Sequence, residues 1–269
     1  MFCETDKIAD IGVFGGSGFY SFLNDIEEVR IETPYGPPSD SIMLGTIAGK
    51  KVAFLPRHGR NHSILPQQIN YRANVWAMKS LGVKRVISPC AAGSLQKHVK
   101  PGDFVVCDQF VNLTSGRKDT FFEGPIVTHV SAADPYCPEL RKIAIEAGKS
   151  CGITVHETGT VAIINGPRFS TKAESKFYTA QGWEVINMSQ YPEAYLVKEL
   201  DMCPVNISLI TDYDAGLVSD SEPVNHSDVI KVFGQNIENL KKLLFTMVEN
   251  IPTERVNCDC ANTLSKSRL

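Results

Sequence analysis

The chain has 269 residues, 43% hydrophobic and 21% charged, with a formal net charge of −3. That composition supports a sizeable buried core and excludes disorder for the bulk of the chain. The slight acidity leaves no basic field for a nucleic acid, and no run of 18 or more apolar residues is present to span a membrane as a helix.

The N-terminus, Met-Phe-Cys-Glu-Thr-Asp-Lys, carries acids and no basic-then-apolar leader, so a cytoplasmic location is expected. Residues 11–14 read as a buried strand ending in Gly15-Gly16-Ser17-Gly18. Residues 41–47 and 51–56 bracket Ala48-Gly49-Lys50, a hairpin pattern. A helix is predicted over 70–81, with Ala73, Trp76, Ala77 and Leu81 on one face and Gly82 as its stop. Strands follow over 85–88, ahead of Ala91-Ala92-Gly93, and over 104–107 after a Pro-Gly-Asp turn. Pro138 opens a helix over 138–150, and Gly152 lies beyond its end. A strand over 159–164, a helix over 172–181, a helix over 192–200 and a strand over 204–210 come next. Residues 226–250 form a long last helix, with Val229, Val232, Phe233, Ile237, Leu240 and Leu244 at helical spacing. No repeat or composition break divides the chain, so one domain over 1–269 is expected, with a short cysteine-containing tail over about 252–269. The alternation predicts an α/β fold, a mixed central β-sheet flanked by helices. Ligands in such sheets gather where loops leave the strand ends.

Polar clusters fall at those ends. The glycine loop with Ser17 lets backbone approach an anion, but it is neither a dinucleotide fingerprint nor a P-loop. Arg57-His58-Gly59-Arg60-Asn61-His62 follows a buried strand; its density of donors suits a tetrahedral oxyanion better than a plain surface loop. A metal there is disfavoured, because Gly59 and Pro56 oppose the helix that would bring His58 and His62 to one ion. Ser88-Pro89-Cys90-Ala91-Ala92-Gly93-Ser94 offers small residues and amide N–H groups to a phosphate, or simply tight packing. In Gly166-Pro167-Arg168-Phe169-Ser170, Phe169 either stacks on a flat ring or joins the core, and Ser170 either caps the next helix or faces a ligand. Asn187-Met188-Ser189 and Thr211-Asp212-Tyr213-Asp214 end two late strands. Two aspartates so spaced beside an apolar strand invite a raised pKa or a cationic partner, unless they only form a turn.

Together these motifs resemble the methylthioadenosine phosphorylase family of the purine nucleoside phosphorylase superfamily. The resemblance runs from about Ile11 to Leu244 and includes Thr33-Pro34-Tyr35-Gly36 and Asn70-Tyr71-Arg72-Ala73-Asn74 in order. It implies an oligomer built from trimers, either a trimer or a hexamer. It also implies a phosphate cradle of Ser17, Arg57, His58, Ala91 and Ser189. Cys90 stands where a hydroxyl residue often helps, which shifts that contact toward the Ala91 backbone. Met188 resembles the residue against the ribose, and Phe169, Ser170, Asp212 and Asp214, with Tyr213 between them, the base pocket. His62 resembles a residue near the 5′ substituent, and His129 one reaching that region from a neighbouring subunit. The implied reaction is phosphorolysis of 5′-methylthioadenosine to adenine and 5-methylthioribose 1-phosphate, with inversion at C1′. Asp212 serves as acid or proton relay, and neither metal nor organic cofactor is required. Ser170 and His226 bear on specificity: His226 stands where a small apolar residue is usual in this family, a context closer to purine nucleoside phosphorylases of broader or 6-oxopurine preference. Asp214-Ala215-Gly216 also lacks the bulky aromatic that follows the aspartates in some members.

Cys137, Cys203, Cys258 and Cys260 resemble cysteines of heat-stable archaeal members, which implies disulfides; reduced thiols or a metal clip at Cys258-Asp259-Cys260 are the alternatives. A nucleoside-binding protein without turnover, or a nicotinamide oxidoreductase resting on the glycine loop alone, are the competing functional readings.

Overall fold

Strand β1 (Ile11–Gly15) is buried at every position and runs parallel to β4 (Lys50–Pro56) on one side and to the first part of β5 (Arg85–Ser94) on the other. The structure, a computed structural model, describes residues 8–15, 24–215, 217 and 225–267, with no side-chain detail for residues 24, 226 and 228. Ser17 therefore lies outside the described residues, and of His226 only the backbone is described. The expected hairpin is present as β3 (Ile42–Ile47) antiparallel to β4, with the turn at Ala48-Gly49, both at positive φ. An outer strand, β2 (Asn24–Val29), pairs with β3. Its Asn-Asp-Ile-Glu-Glu-Val sequence hides it from hydrophobic patterning but suits an edge, where charge discourages further pairing.

The rest of the sheet comprises β6 (Phe104–Val105), β7 (Gln109–Asn112), β8 (Val155–His156), β9 (Thr160–Ile163), β10 (Val185–Asn187) and β11 (Cys203–Tyr213). The main order is β2-β3-β4-β1-β5-β10-β9-β7, with β11 also on β5 and with β6 and β8 beyond it. Parallel and antiparallel pairs coexist, so the expected mixed sheet is found. Helices α1 (Tyr71–Ser80), α2 (Pro138–Ser150), α3 (Lys172–Ala180), α4 (Gln190–Glu199) and α5 (His226–Asn250) flank it. No helix among the described residues is long and apolar enough to cross a membrane.

Period-two alternation divides the core between two faces. Ile11, Val13, Val52 and Phe54 pack with α2 and α5 through Leu140, Ala144, Leu243 and Met247. Phe14, Ala53 and Leu55 face the other way, against Val75, Met78, Leu196 and Val197 of α1 and α4. Each of the larger side chains contributes roughly 1.5–3 kcal/mol by leaving water.

Two strands run further than their sequences suggest. β5 continues past residue 88 to Ser94, and β11 past residue 210 to Tyr213. The Pro-Cys-Ala-Ala-Gly run reads locally as a loop, but long parallel pairing between β5 and β11 overrides that preference. The register slips once, with Ile210 opposite Ala92 but Asp212 opposite Gly93, so Thr211 is an extra residue in a β-bulge. On its other edge β5 pairs with β1 through Ile87 and with β10 only from Gly93. Among the described residues, 88–92 have no strand neighbour there.

The far end of α5 is capped from outside. Lys50 Nζ donates to the carbonyls of Val248 at 2.9 Å and Glu249 at 2.7 Å, and to that of Ile251. A cation on these end-of-helix acceptors satisfies them and complements the dipole. Lys50→Met should cost about 1–2 kcal/mol, read as a lower denaturation midpoint with unaltered secondary structure; an unchanged midpoint would show that the cap carries no weight.

Candidate active site

The carboxyl ends of β1, β4 and β10 converge on the open edge of β5 around residues 88–92. A cavity of about 870 Å³ opens there, lined by the loops after β4, β9 and β10, by residues 89–93 of β5, by the end of β11, and by Val229, Ile230 and Phe233 of α5. Its size and mixed lining suit a nucleoside-sized guest.

One end is built for an anion. Arg57 is 3% exposed, and burying a guanidinium demands a partner. Glu193 of α4 supplies it: Arg57 Nε donates to Oε2 and Nη2 to Oε1, each at 2.8 Å. Nη2 also donates to the Phe14 carbonyl at 2.7 Å and Nη1 to that of Pro89 at 2.9 Å. Burial alone would lower the Arg57 pKa, but the facing carboxylate outweighs it and holds the group charged. Four of its five N–H groups are thereby engaged, so Arg57 presents a single Nη1 hydrogen rather than the open fork expected from sequence. Burial pushes His58 down to about 4, so the ring is neutral at neutral pH. Its Nδ1 lies 2.9 Å from the Ile64 carbonyl, which can only accept. The proton therefore sits on Nδ1, and Nε2 is an acceptor. Ser189 is the buried N-cap residue of α4, and its hydroxyl makes no capping bond. Cys90 Sγ accepts from Asn187 Nδ2 at 3.3 Å and Asn206 Nδ2 at 3.4 Å, and lies 3.5 Å from Ser208 Oγ.

The other end holds two carboxyls. The bulge at Thr211 brings Asp212 beside Gly93, where a Cβ would lie 3.0 Å from Asp212 Oδ2 and 2.9 Å from Ile186 Cγ2. Only glycine leaves that space. Burial pushes Asp212 up to about 6, against the pull of the Thr211 hydroxyl, which donates to Oδ1 at 2.8 Å; Asp214 adds to the rise. Burial likewise raises Asp214, which is 3% exposed. The hydroxyls of Ser175 and Ser170 lie close enough to oppose that rise, yet neither Ser170 Oγ nor Asp214 Oδ2 completes a hydrogen bond. The cap of α3 is Thr171, in a reciprocal capping box with Glu174, so Ser170 is not spent as a cap. Phe169 is 37% exposed at the rim. Met188 fits because Gly166 has no Cβ, which would stand 2.5 Å from Met188 Sδ.

Of the residues singled out from sequence, Arg57, His58, His62, Cys90, Ala91, Phe169, Ser170, Met188, Ser189, Asp212 and Asp214 all line this cavity. His62 stacks on His58 with centroids 4.6 Å apart. Tyr213 does not line it; strand alternation turns its side chain away, and its hydroxyl reaches the Lys97 carbonyl at 3.5 Å. His129 lies on an exposed segment outside the cavity, its amide donating to the Ser267 carbonyl at 3.0 Å. Sequence reasoning missed Glu193 and Arg117, and it read Gly93 only as one small residue in a phosphate or packing run. Arg117 donates to the carbonyls of Met188 at 2.8 Å and Asn165 at 3.1 Å, and to that of Tyr191, so it binds the loops after β9 and β10 together.

The family model of the phosphorylase superfamily matches residues 10–249. An S-methyl-5′-thioadenosine phosphorylase of Thermofilum pendens is 50% identical over 261 residues, covering 96% of this chain and 98% of that protein. A purine nucleoside phosphorylase of Streptomyces coelicolor is 49% identical over 266 residues, covering 95% and 94%. A methylthioadenosine phosphorylase crystal structure from an antarctic soil metagenomic library superposes with a TM-score of 0.92 at 38% identity, covering 98% of this chain and 93% of that one. A match through nearly all the strands that build the cavity, with half the residues kept in relatives, places the chain within the phosphorylase superfamily.

Proposed function

We propose that the protein catalyses phosphorolysis of 5′-methylthioadenosine to adenine and 5-methylthioribose 1-phosphate. The observation that carries this reading is the pairing of an anion-binding end with a carboxyl held near pKa 6 across one nucleoside-sized cavity. The relatives' names support it.

A phosphate oxygen attacks C1′ as the C1′–N9 bond breaks, and the bonding pair leaves with the purine. C1′ becomes cationic in the transition state, so an anion fixed beneath it is stabilising there more than in the ground state. The Ala91 amide on the open edge of β5, Ser189 and the remaining Arg57 hydrogen are the donors for that anion. Neutral His58 offers Nε2 to a protonated phosphate oxygen. The departing purine gains negative charge and takes a proton at N7, from Asp212 or through it. Asp214 and Ser170, with unfilled hydrogen-bonding capacity, suit the edge of the base and its 6-amino group. Val229, Ile230 and Phe233 give α5 an apolar wall that favours a methylthio group over a hydroxyl. The reaction balances with phosphate as co-substrate and needs neither organic cofactor nor catalytic metal. We further propose that the enzyme is cytoplasmic and a trimer or hexamer. The exposed Ile126 and Val127 beside His129 support placing that segment against a neighbouring subunit.

Purified protein with 5′-methylthioadenosine should release adenine only when phosphate is present. Release that ignores phosphate would mean hydrolysis, and no release alongside rapid inosine cleavage would move the substrate to the 6-oxopurine class, as the Streptomyces relative's name suggests. Asp212→Asn should lower kcat/KM for 5′-methylthioadenosine by about 10²–10⁴-fold; an unchanged value would remove the assigned role.

The same substitution reports on stability. A carboxyl raised from 3.8 to about 6 by folding opposes folding once ionised. The penalty is absent below the unfolded pKa, grows between the two values, and reaches roughly 3 kcal/mol above the folded one. Asp212→Asn should therefore be more stable than the parent chain at about pH 8, with the gain shrinking toward about pH 4, as followed by thermal melts across pH.

A further inference from the structure

Far from the cavity, four cysteines meet. Cys137 is the N-cap residue of α2, Cys203 opens β11, and Cys258 and Cys260 lie in the segment after α5. All seven described cysteines are free thiols, so the disulfides implied by resemblance are not formed in the structure. Instead the four Sγ atoms all lie within 4.8 Å of one another, with Cys203 and Cys258 3.6 Å apart. We propose that Cys137, Cys203, Cys258 and Cys260 bind a structural zinc ion that staples the C-terminal segment to the start of β11.

The geometry fits that ion. Four thiolates about 2.3 Å from a tetrahedral zinc stand roughly 3.8 Å from each other. With the sulphurs within 4.8 Å of one another, the cluster needs to contract by no more than about 1 Å to reach this. Two disulfides require two close pairs but no common centre, whereas a single ion requires all four sulphurs around one point. Cys137, Cys203 and Cys260 are buried and Cys258 is half-buried, which suits a closed four-sulphur site with no position for water. The N-terminal end of α2 favours the Cys137 thiolate. The supporting contacts are in place. The Cys137 amide donates to the Pro204 carbonyl at 2.8 Å, and Cys203 N donates to the Lys84 carbonyl at 2.9 Å. Buried Glu139, in the first turn of α2, accepts the amides of Val256 at 3.2 Å and Asn257 at 3.4 Å through Oε1, which aims the chain into Cys258. Binding exchanges four S–H bonds for four Zn–S bonds and releases four protons, with no change of oxidation state. Cys203 and Asp212 stand at opposite ends of β11, nine residues and about 30 Å apart, so the ion holds the fold and takes no part in the reaction.

Untagged full-length protein, purified under reducing conditions without chelator, should carry about one zinc per chain by elemental analysis. After chelator treatment it should melt at a lower temperature and recover with added zinc. Cobalt(II) in zinc's place should give the visible bands of a tetrahedral centre and a thiolate-to-cobalt charge-transfer band. Cys258→Ser and Cys260→Ser should lose the metal, while Cys151→Ser, outside the cluster, should keep it. If the cluster variants do not fold, the parent chain decides alone. Substoichiometric zinc without the cobalt-thiolate spectrum would overturn the proposal. So would an unreduced mass lower by a pair of hydrogens for each bridge.

Discussion

Among the described residues no strand lies beside the middle of β5 on one edge, and buried peptide groups must still find partners. A protein can close such a gap with side chains, or leave it for a ligand that brings its own acceptors. Here both occur. Arg57 donates to the Pro89 carbonyl at 2.9 Å, so that acceptor on the open edge is answered from within. The cavity meets residues 89–93. β1 ends on one side of the gap and β10 enters from the other. The loops that follow these strands, and those after β4 and β9, are thereby delivered to one place.

The electrostatics of this place differ from what a row of Arg and His suggests. Arg57 is neutralised by Glu193, and His58 carries no charge at neutral pH. What remains is a set of fixed dipoles and one N–H of a cation that is already paired. Such a set loses little when the guest leaves and needs no rearrangement when it arrives, the arrangement that makes preorganised polar sites effective. At the opposite end the molecule keeps carboxyls where their ionisation is disfavoured. The cost falls on folding; the proposed benefit falls on proton transfer.

Much of this was legible in the sequence, where local signals agreed. Pro138 and Gly152 delimit α2, the spacing of Val229 through Leu244 finds α5, and the turn at Ala48-Gly49 finds the hairpin. The cavity residues were legible as an ensemble of polar clusters at strand ends, most of which the fold brings together. What was not legible depends on distance along the chain. Glu193 meets Arg57 across 136 positions, and nothing near Glu193 in sequence announces a buried ion pair. The strand character of residues 89–94 comes from β11, more than 100 residues later. Gly93 and Arg117 act through space they leave or carbonyls they hold, and neither leaves a periodic trace. Tyr213 was grouped with its neighbours by adjacency, whereas a pleated strand sorts neighbours onto opposite sides.

The slip at Thr211 makes residue number, and not residue type alone, part of the catalytic apparatus. In unbroken register Thr211 would stand beside Gly93 and Asp212 beside Ser94, facing the other side of the sheet. Side chains around the cavity can drift to suit a new base or a new sugar. The tally of amino acids separating Cys203 from Asp214 cannot drift by one without turning both carboxyls inside out, so homologues should vary in composition along this stretch far more freely than in length.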